Sequence, residues 1–283
     1  MKISHAGILS ILTIAVAITT SCSVINKVRA RDALNDGARA YKDRKFDLAE
    51  ERFTQAMSLD PNQKMTEVFL ARTLHQQYLA KRDSPENMKK AQQAIEIYKK
   101  ILSEKPDDRA SNDAVTNLIL NLNGPEAQEA WVRQRAEDSR VSGDGRAEAY
   151  TLLASKQYTC ANEITELPDV KQTVQKGKEA VYTFKKPANA ADFEKAKQCT
   201  QNGLNLIDKA IALDDNNDST WSYRTSLLVQ AARIAEMEGN TAEKDRLTAE
   251  SNKAKERFLQ LSKEKALKQE AEDKKKAEAE AEK

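Results

Sequence analysis

The chain has 283 residues, with 46 Lys and Arg against 44 Asp and Glu and a formal net charge of +2. Charged residues make up 32% of it, yet a balance this even excludes the one-sided field that generic nucleic-acid binding needs. Only 8 Gly and 6 Pro occur, so helices are favoured, and no run of alternating β-branched residues reads as a strand.

Lys2 precedes an apolar run from Ala6 to Thr19 that includes Ile8, Leu9, Ile11, Leu12, Ile14, Val16 and Ile18. The run is shorter than the roughly 20 residues a spanning helix needs. A charged start, a short apolar core and the small residues Thr19-Thr20-Ser21 make a secretory signal, and Cys22 follows at once. The stretch AITTSCSV resembles the lipobox of bacterial lipoproteins, where the cysteine takes a diacylglyceryl group and becomes the new N-terminus. Thr19 stands where that family usually has a large aliphatic residue, and Ile18 lies one position early. The resemblance implies a signal peptide over 1–21, lipidation at Cys22 and a lipidated tether over 22–31. Ser23, where an Asp would signal retention, implies the outer membrane, with the chain facing the periplasm. One buried acyl chain binds only marginally, at about 0.8 kcal/mol per methylene, so several chains on Cys22 would anchor durably.

DALNDGARAYKDRKFDLAEERFTQAMSLDPN covers 32–62. Ala49, Phe53 and Ala56 step by four and three, which puts them on one helical face. Pro61 cannot donate a backbone N–H and disfavours helix in the residue before it. The stretch resembles the tetratricopeptide repeat (TPR), a helix–turn–helix unit of about 34 residues. On that resemblance Gly37, Ala49 and Ala56 are the small residues where helices approach, and Phe53 is the large apolar residue of the second helix. Leu59-Asp60-Pro61 is then the closing turn. Stacked repeats form a concave surface that binds peptides or proteins. The family's groove positions fall on Arg31, Leu34, Ala38, Tyr41 and Lys42. Leu34 and Ala38 stand where some members carry the Lys and Asn of a carboxylate clamp, so that clamp is not expected.

Four looser units follow. AQQAIEIYKKILSEKPDD repeats the second half, with Ala94, Tyr98, Ile101 and Pro106 in the places of Ala49, Phe53, Ala56 and Pro61. The surplus length before it falls around 81–89, where Asp83-Ser84-Pro85-Glu86 reads as a helix start. A third pair spans Ala110 to Arg140, turning at Asn123-Gly124-Pro125, with Ala127 and Trp131 in its second helix. Ser142-Gly143-Asp144-Gly145 then predicts a flexible break. The fourth pair runs from Ala147 to Tyr158 and resumes with Gly203, Ile207 and Ala210, Asp215 replacing the proline. An insertion over about 163–191, holding Pro168 and Pro187, separates its helices. A fifth pair starts at an N-cap Ser219 and turns at Gly239-Asn240. The tail over 262–283 is mostly Lys, Glu and Ala, with almost nothing apolar. It is either a solvated helix held by i,i+4 pairs or disordered.

Cys160 and Cys199 remain. Export favours disulfides, and both cysteines fall in the fourth pair, where antiparallel helices bring them together across the insertion. Two buried free thiols are the alternative. No metal site is expected, since no His or further Cys stands near either. The chain has 2 His, and only His75 follows the signal; a lone helical histidine reads as packing. No CxxC, HExxH, GxSxG or GxxxxGK[ST] motif occurs. DDNNDST from Asp214 lacks the Gly and bidentate Glu of a calcium loop and reads as a turn.

The expected fold is all-α, a superhelical array of antiparallel helix pairs over 32–261 with a charged tail. The expected function is a lipid-anchored, periplasm-facing scaffold for protein or peptide partners, with no cofactor, no nucleic acid and no catalysis. An accessory subunit of an outer-membrane or envelope assembly machine is the alternative. An enzyme, which would need a polar constellation inside the insertion, ranks third.

Overall fold

The computed structural model describes residues 5–80, 82–177 and 179–281. The architecture is all-α: antiparallel helix pairs in two compact units, 1–128 and 129–283, with a single β-hairpin among the described residues of the second.

In the first unit α1 (His5–Lys42) pairs with α2 (Phe46–Leu59), and α3 (Lys64–Gln77) pairs with α4 (Pro85–Glu104), while α2 also packs on α3. Ala30, Ala33, Gly37 and Ala40 recur at helical spacing and form the buried face of α1. Ala49, Phe53 and Ala56 meet it, each 0% exposed. A Cβ on Gly37 would lie 2.6 Å from Phe53 Cε1, so the ring sits in the space that glycine leaves. Phe53 also stacks on Phe69 of α3, centroids 5.4 Å apart. Pro61 lies in the exposed turn after α2. In the second pair Ala94, Tyr98 and Ile101 are buried and Pro106 is half-buried. His75 sets its ring edge-on to Tyr98, and burial pushes its pKa below the usual histidine value, as suits a packing residue. Ser84 caps α4 by accepting from Asn87 N–H, with Pro85 in the first turn. The surplus before α4 is fastened by buried Asn87, which accepts from Leu79 N–H and donates to the carbonyls of Leu79 and Arg82.

α5 (Arg109–Glu137) is broken at Gly124, whose φ of 86° and ψ of 180° separate two helical segments where the sequence places a turn. Ala127 and Trp131 lie in the later segment.

In the second unit α6 (Gly143–Thr165) pairs with α7 (Ala190–Leu213), and α8 (Asp218–Met237) with α9 (Thr241–Ala281). The expected flexible break at 142–145 is not there. Ser142 caps α6, and both glycines lie in its first turn because neighbours crowd them. A Cβ on Gly143 would meet the Leu213 carbonyl at 3.2 Å, and one on Gly145 the Val141 side chain at 2.9 Å. Ser219 is not the cap of α8. Asn217 is, accepting from Thr220 N–H, because Thr220 is drawn inside to bond Thr151. Gly203, Ile207 and Ala210 are buried on α7. A Cβ on Gly203 would lie 2.5 Å from Leu227 Cδ2. Gly203→Ala is therefore expected to destabilise the second unit by about 1–3 kcal/mol as an overpacked core does, despite alanine's better helix propensity. An unchanged or raised melting temperature by circular dichroism would show that Leu227 yields freely.

α9 is buried only as far as Leu261 among the described residues and continues as helix to Ala281 in the charged tail. Among the described residues no helix is long and apolar enough to cross a membrane. The tether expected over 22–31 lies within α1, and Ala30 is already 0% exposed.

Candidate protein-interaction surfaces

The first surface is the outward face of α1 and α3. Arg31 and Lys42 are exposed, and Leu34 and Ala38 are half-buried beside them. Tyr41 is also half-buried and turns edge-on to Phe46 and Phe69, with centroids 5.6 and 6.4 Å away. Its ring therefore braces three helices as well as bordering the face. On α3 Met65 is 57% exposed and Arg72 stands in solvent. Elsewhere in the unit Lys100 of α4 reaches the buried Glu67 carboxylate of α3 at 2.5 Å, and Lys90 of α4 reaches Glu50 of α2 at the same distance. These pairs tie α4 to α3 and α2.

The second surface is the insertion of the fourth pair. The sequence shows no strand there, but β1 (Lys171–Lys176) and β2 (Glu179–Phe184) pair antiparallel, Lys171 opposite Phe184 and Val174 opposite Val181. Gly177, at φ +64°, supplies the turn. The hairpin is held at its base. Val170, Phe193, Ile234 and Met237 form a buried cluster with Phe184 against it. Glu236 accepts from Phe184 N–H, and the Arg233 guanidinium sits 4.4 Å over the Phe184 ring. Arg233 also donates to Glu166 at 2.8 Å, as Lys171 does at 2.5 Å. Behind them Gln230, 1% exposed, accepts from Thr165 and donates to Asn162. Cys160 and Cys199 are disulfide-bonded with Cα atoms 6.1 Å apart, tying α6 to α7 near the same base. Farther out Tyr182 is 62% exposed and Val174 is 40% exposed. Lys171 lies 4.2 Å over the Tyr182 ring.

The hydrogen bond from Lys171, with Arg233 beside it, holds the Glu166 carboxyl below its ordinary value of 4.5. A folded-state value below the unfolded one means that the carboxylate stabilises the hairpin base above about 4.5. That contribution is lost as pH falls through the lowered folded value. Amide exchange of residues 171–184, corrected for intrinsic rates, is therefore expected to speed up below pH 4.5. Glu166→Gln should produce the faster exchange already at pH 7. Equal protection of wild type and variant at pH 7 would remove Glu166 from the attachment.

A third surface is a groove of about 380 Å³ between α7 and α9, floored by Leu228, Ala231 and Ala235 of α8. Its charges are paired: Arg224 with Asp208, Lys197 with Glu238, and Arg246 with Glu243 and Glu250.

Of the residues the sequence singled out, the structure brings Gly37, Ala49, Phe53 and Ala56 into one core and joins Cys160 to Cys199. The Cys22 backbone lies in α1, and its side chain is outside the described residues. The sequence reading missed Arg233, Gln230 and Tyr182, whose roles arise from contacts between distant segments. Asp214 donates its backbone N–H to Ala210 and Asn217 caps α8, so the first four residues of DDNNDST are the turn from α7 to α8 and the last three open α8.

No family model matches the chain, and no curated protein matches it. Among solved structures it is similar to the crystal structure of MamA, with a TM-score of 0.40 and 13% identity over 84% of this chain and 94% of that one. It is also similar to YrrB, described as a TPR protein with an unusual peptide-binding site, with a TM-score of 0.37 and 11% identity over 86% and 97%. At overlaps this low the likeness carries no information about ligands.

Proposed function

We propose that the chain is a lipid-anchored scaffold on the periplasmic side of the cell envelope that binds other proteins or peptides through its helix pairs. The observation that carries the binding role is the open face of α1 and α3. There Leu34 and Ala38 of α1 stand beside exposed Arg31 and Lys42, and α3 exposes Met65 and Arg72, while the opposite side of α1 is committed to the core through Ala30, Ala33, Gly37 and Ala40. Apolar contact area ringed by charge is what reversible polypeptide binding uses. The base-held hairpin with Tyr182 outward supplies a second contact element, since a pinned loop loses less freedom on binding than a free one. The anchor rests on the Thr19-Thr20-Ser21-Cys22 stretch, and the outer-membrane destination on Ser23.

A photo-crosslinking residue placed at Ala38 or Arg72 in intact cells is expected to give discrete adducts that the same residue at Glu96, exposed on α4, does not. Equal labelling from all three positions would overturn the binding role of this face. Metabolic labelling with a fatty-acid analogue tests the anchor separately, and label persisting on Cys22→Ser would overturn it.

A further inference from the structure

α1 does not stop at the tether expected over 22–31. It runs unbroken through Cys22 to Lys42, and its packing on the first repeat begins at Ala30. Over 24–29 the helix is exposed, and its surface is sorted. Val24, Ile25 and Val28 are 61%, 50% and 57% exposed. By helical spacing Val24 and Val28 stack one turn apart, Ile25 lies beside them, and all three face away from the side that carries Ala30 and Ala33. Lys27 and Arg31 border this patch on one side and Arg29 on the other, all three exposed. Asp32 and Asn35 occupy the same face farther on, so the apolar patch ends within two turns of Cys22.

We infer that the first turns of α1 after Cys22 lie in the headgroup layer of an anionic membrane, with Val24, Ile25 and Val28 toward the acyl chains and Lys27, Arg29 and Arg31 on lipid phosphates. The inference rests on the lipid anchor proposed above and adds an orientation to it. Three observations select lipid as the occupant. The patch adjoins the anchoring residue, since at about 1.5 Å of rise per residue Val28 stands about 9 Å along the axis from Cys22. The flanking charges are all positive until Asp32, matching anionic headgroups. Long basic side chains bordering an apolar stripe can rest their stems on it while their heads reach the phosphates. The first repeat continues the same helix, so the membrane would set the orientation of its α1 face.

The test uses the full lipidated chain, purified from membranes and placed in phosphatidylglycerol vesicles with brominated acyl chains. Fluorescence of Val28→Trp is compared with that of Lys42→Trp, each after subtraction of the native Trp131 and Trp221 signal. Both positions are exposed, so neither substitution disturbs the core; Ile25→Trp serves as a second probe. Quenching at position 28 at least threefold above position 42, reduced by joint Lys27→Glu and Arg31→Glu, is the expected result. Equal quenching at positions 25, 28 and 42 in chains that carry the fatty-acid label would overturn the inference and leave the anchor standing. Selective quenching in a chain without the label would overturn the anchor and leave the membrane contact standing.

Discussion

Phe53→Ala is expected to unfold the first repeat at a temperature well below wild type, with a loss of about 3–5 kcal/mol. The ring is fully buried, stacks on Phe69 and occupies the space Gly37 leaves on α1. Alanine would strip contacts from three helices at once. The surroundings cannot close the gap, because Ala49 and Ala56, on either side of Phe53 along α2, are fully buried and α2 already packs on both α1 and α3. Ala49→Leu attacks the same junction from the opposite direction and should cost about 1–3 kcal/mol by overpacking. Lys45→Ala is the control. Lys45 precedes α2, caps it with no side-chain hydrogen bond, and pairs only loosely with Asp43 at 3.8 Å, both side chains well exposed. Such a pair contributes little. Thermal melts of the three variants by circular dichroism decide the matter. Coincident curves for Phe53→Ala and Lys45→Ala would mean that the ring is not the centre of the repeat.

The next largest effect is expected from removing the Cys160–Cys199 bridge. The cysteines are 39 residues apart in sequence. Opening that loop in the unfolded chain is worth about 4 kcal/mol on the chain-entropy account. The loop contains the whole hairpin, so loss of the bridge should be felt there first, as faster amide exchange over 171–184, and only then in the melting of the second unit. Intact-mass analysis with and without reductant before thiol alkylation establishes the bridge itself. Two alkylatable thiols without reduction would remove it, and full hairpin protection in a double Ser variant would show that Arg233, Glu166 and Phe184 suffice.

The first repeat was legible in the sequence because its determinants are local. Gly37, Ala49, Phe53, Ala56 and Pro61 report on one pair of neighbouring helices, and their spacing survives without knowledge of anything distant. Gly203, Ile207 and Ala210 were legible on α7 for the same reason. The pairing of Cys160 with Cys199 could be proposed because few cysteines exist and both fall in one helix pair. The hairpin was not legible. Its outer residues Gln172, Thr173, Val174 and Gln175 are all exposed, so no alternation of apolar and polar residues marks the strands. What holds it is supplied from α8, by Arg233, Glu236 and Ile234, some 50 residues away in the chain. The cap of α8 failed for a subtler reason. DDNNDST offers several residues able to cap, and the choice of Asn217 over Ser219 depends on the bond between Thr220 and Thr151 on another helix. The glycines at 143 and 145 look like punctuation in one dimension and are contact points in three.

The extension of α9 has a bearing on how molecules of this kind crowd together. Lys265 still reaches Asp218 on α8, but beyond it the described ion pairs and side-chain hydrogen bonds run only along the helix itself, as between Gln269 and Asp273. Residues 266–281 carry α9 about 24 Å beyond its packed turns at helical rise. Over 262–283 lysines and acidic residues are equal in number, so the segment carries no net charge to attract or repel a neighbour. What it adds is therefore volume and not field: the space about its axis is closed to other macromolecules at high salt as at low.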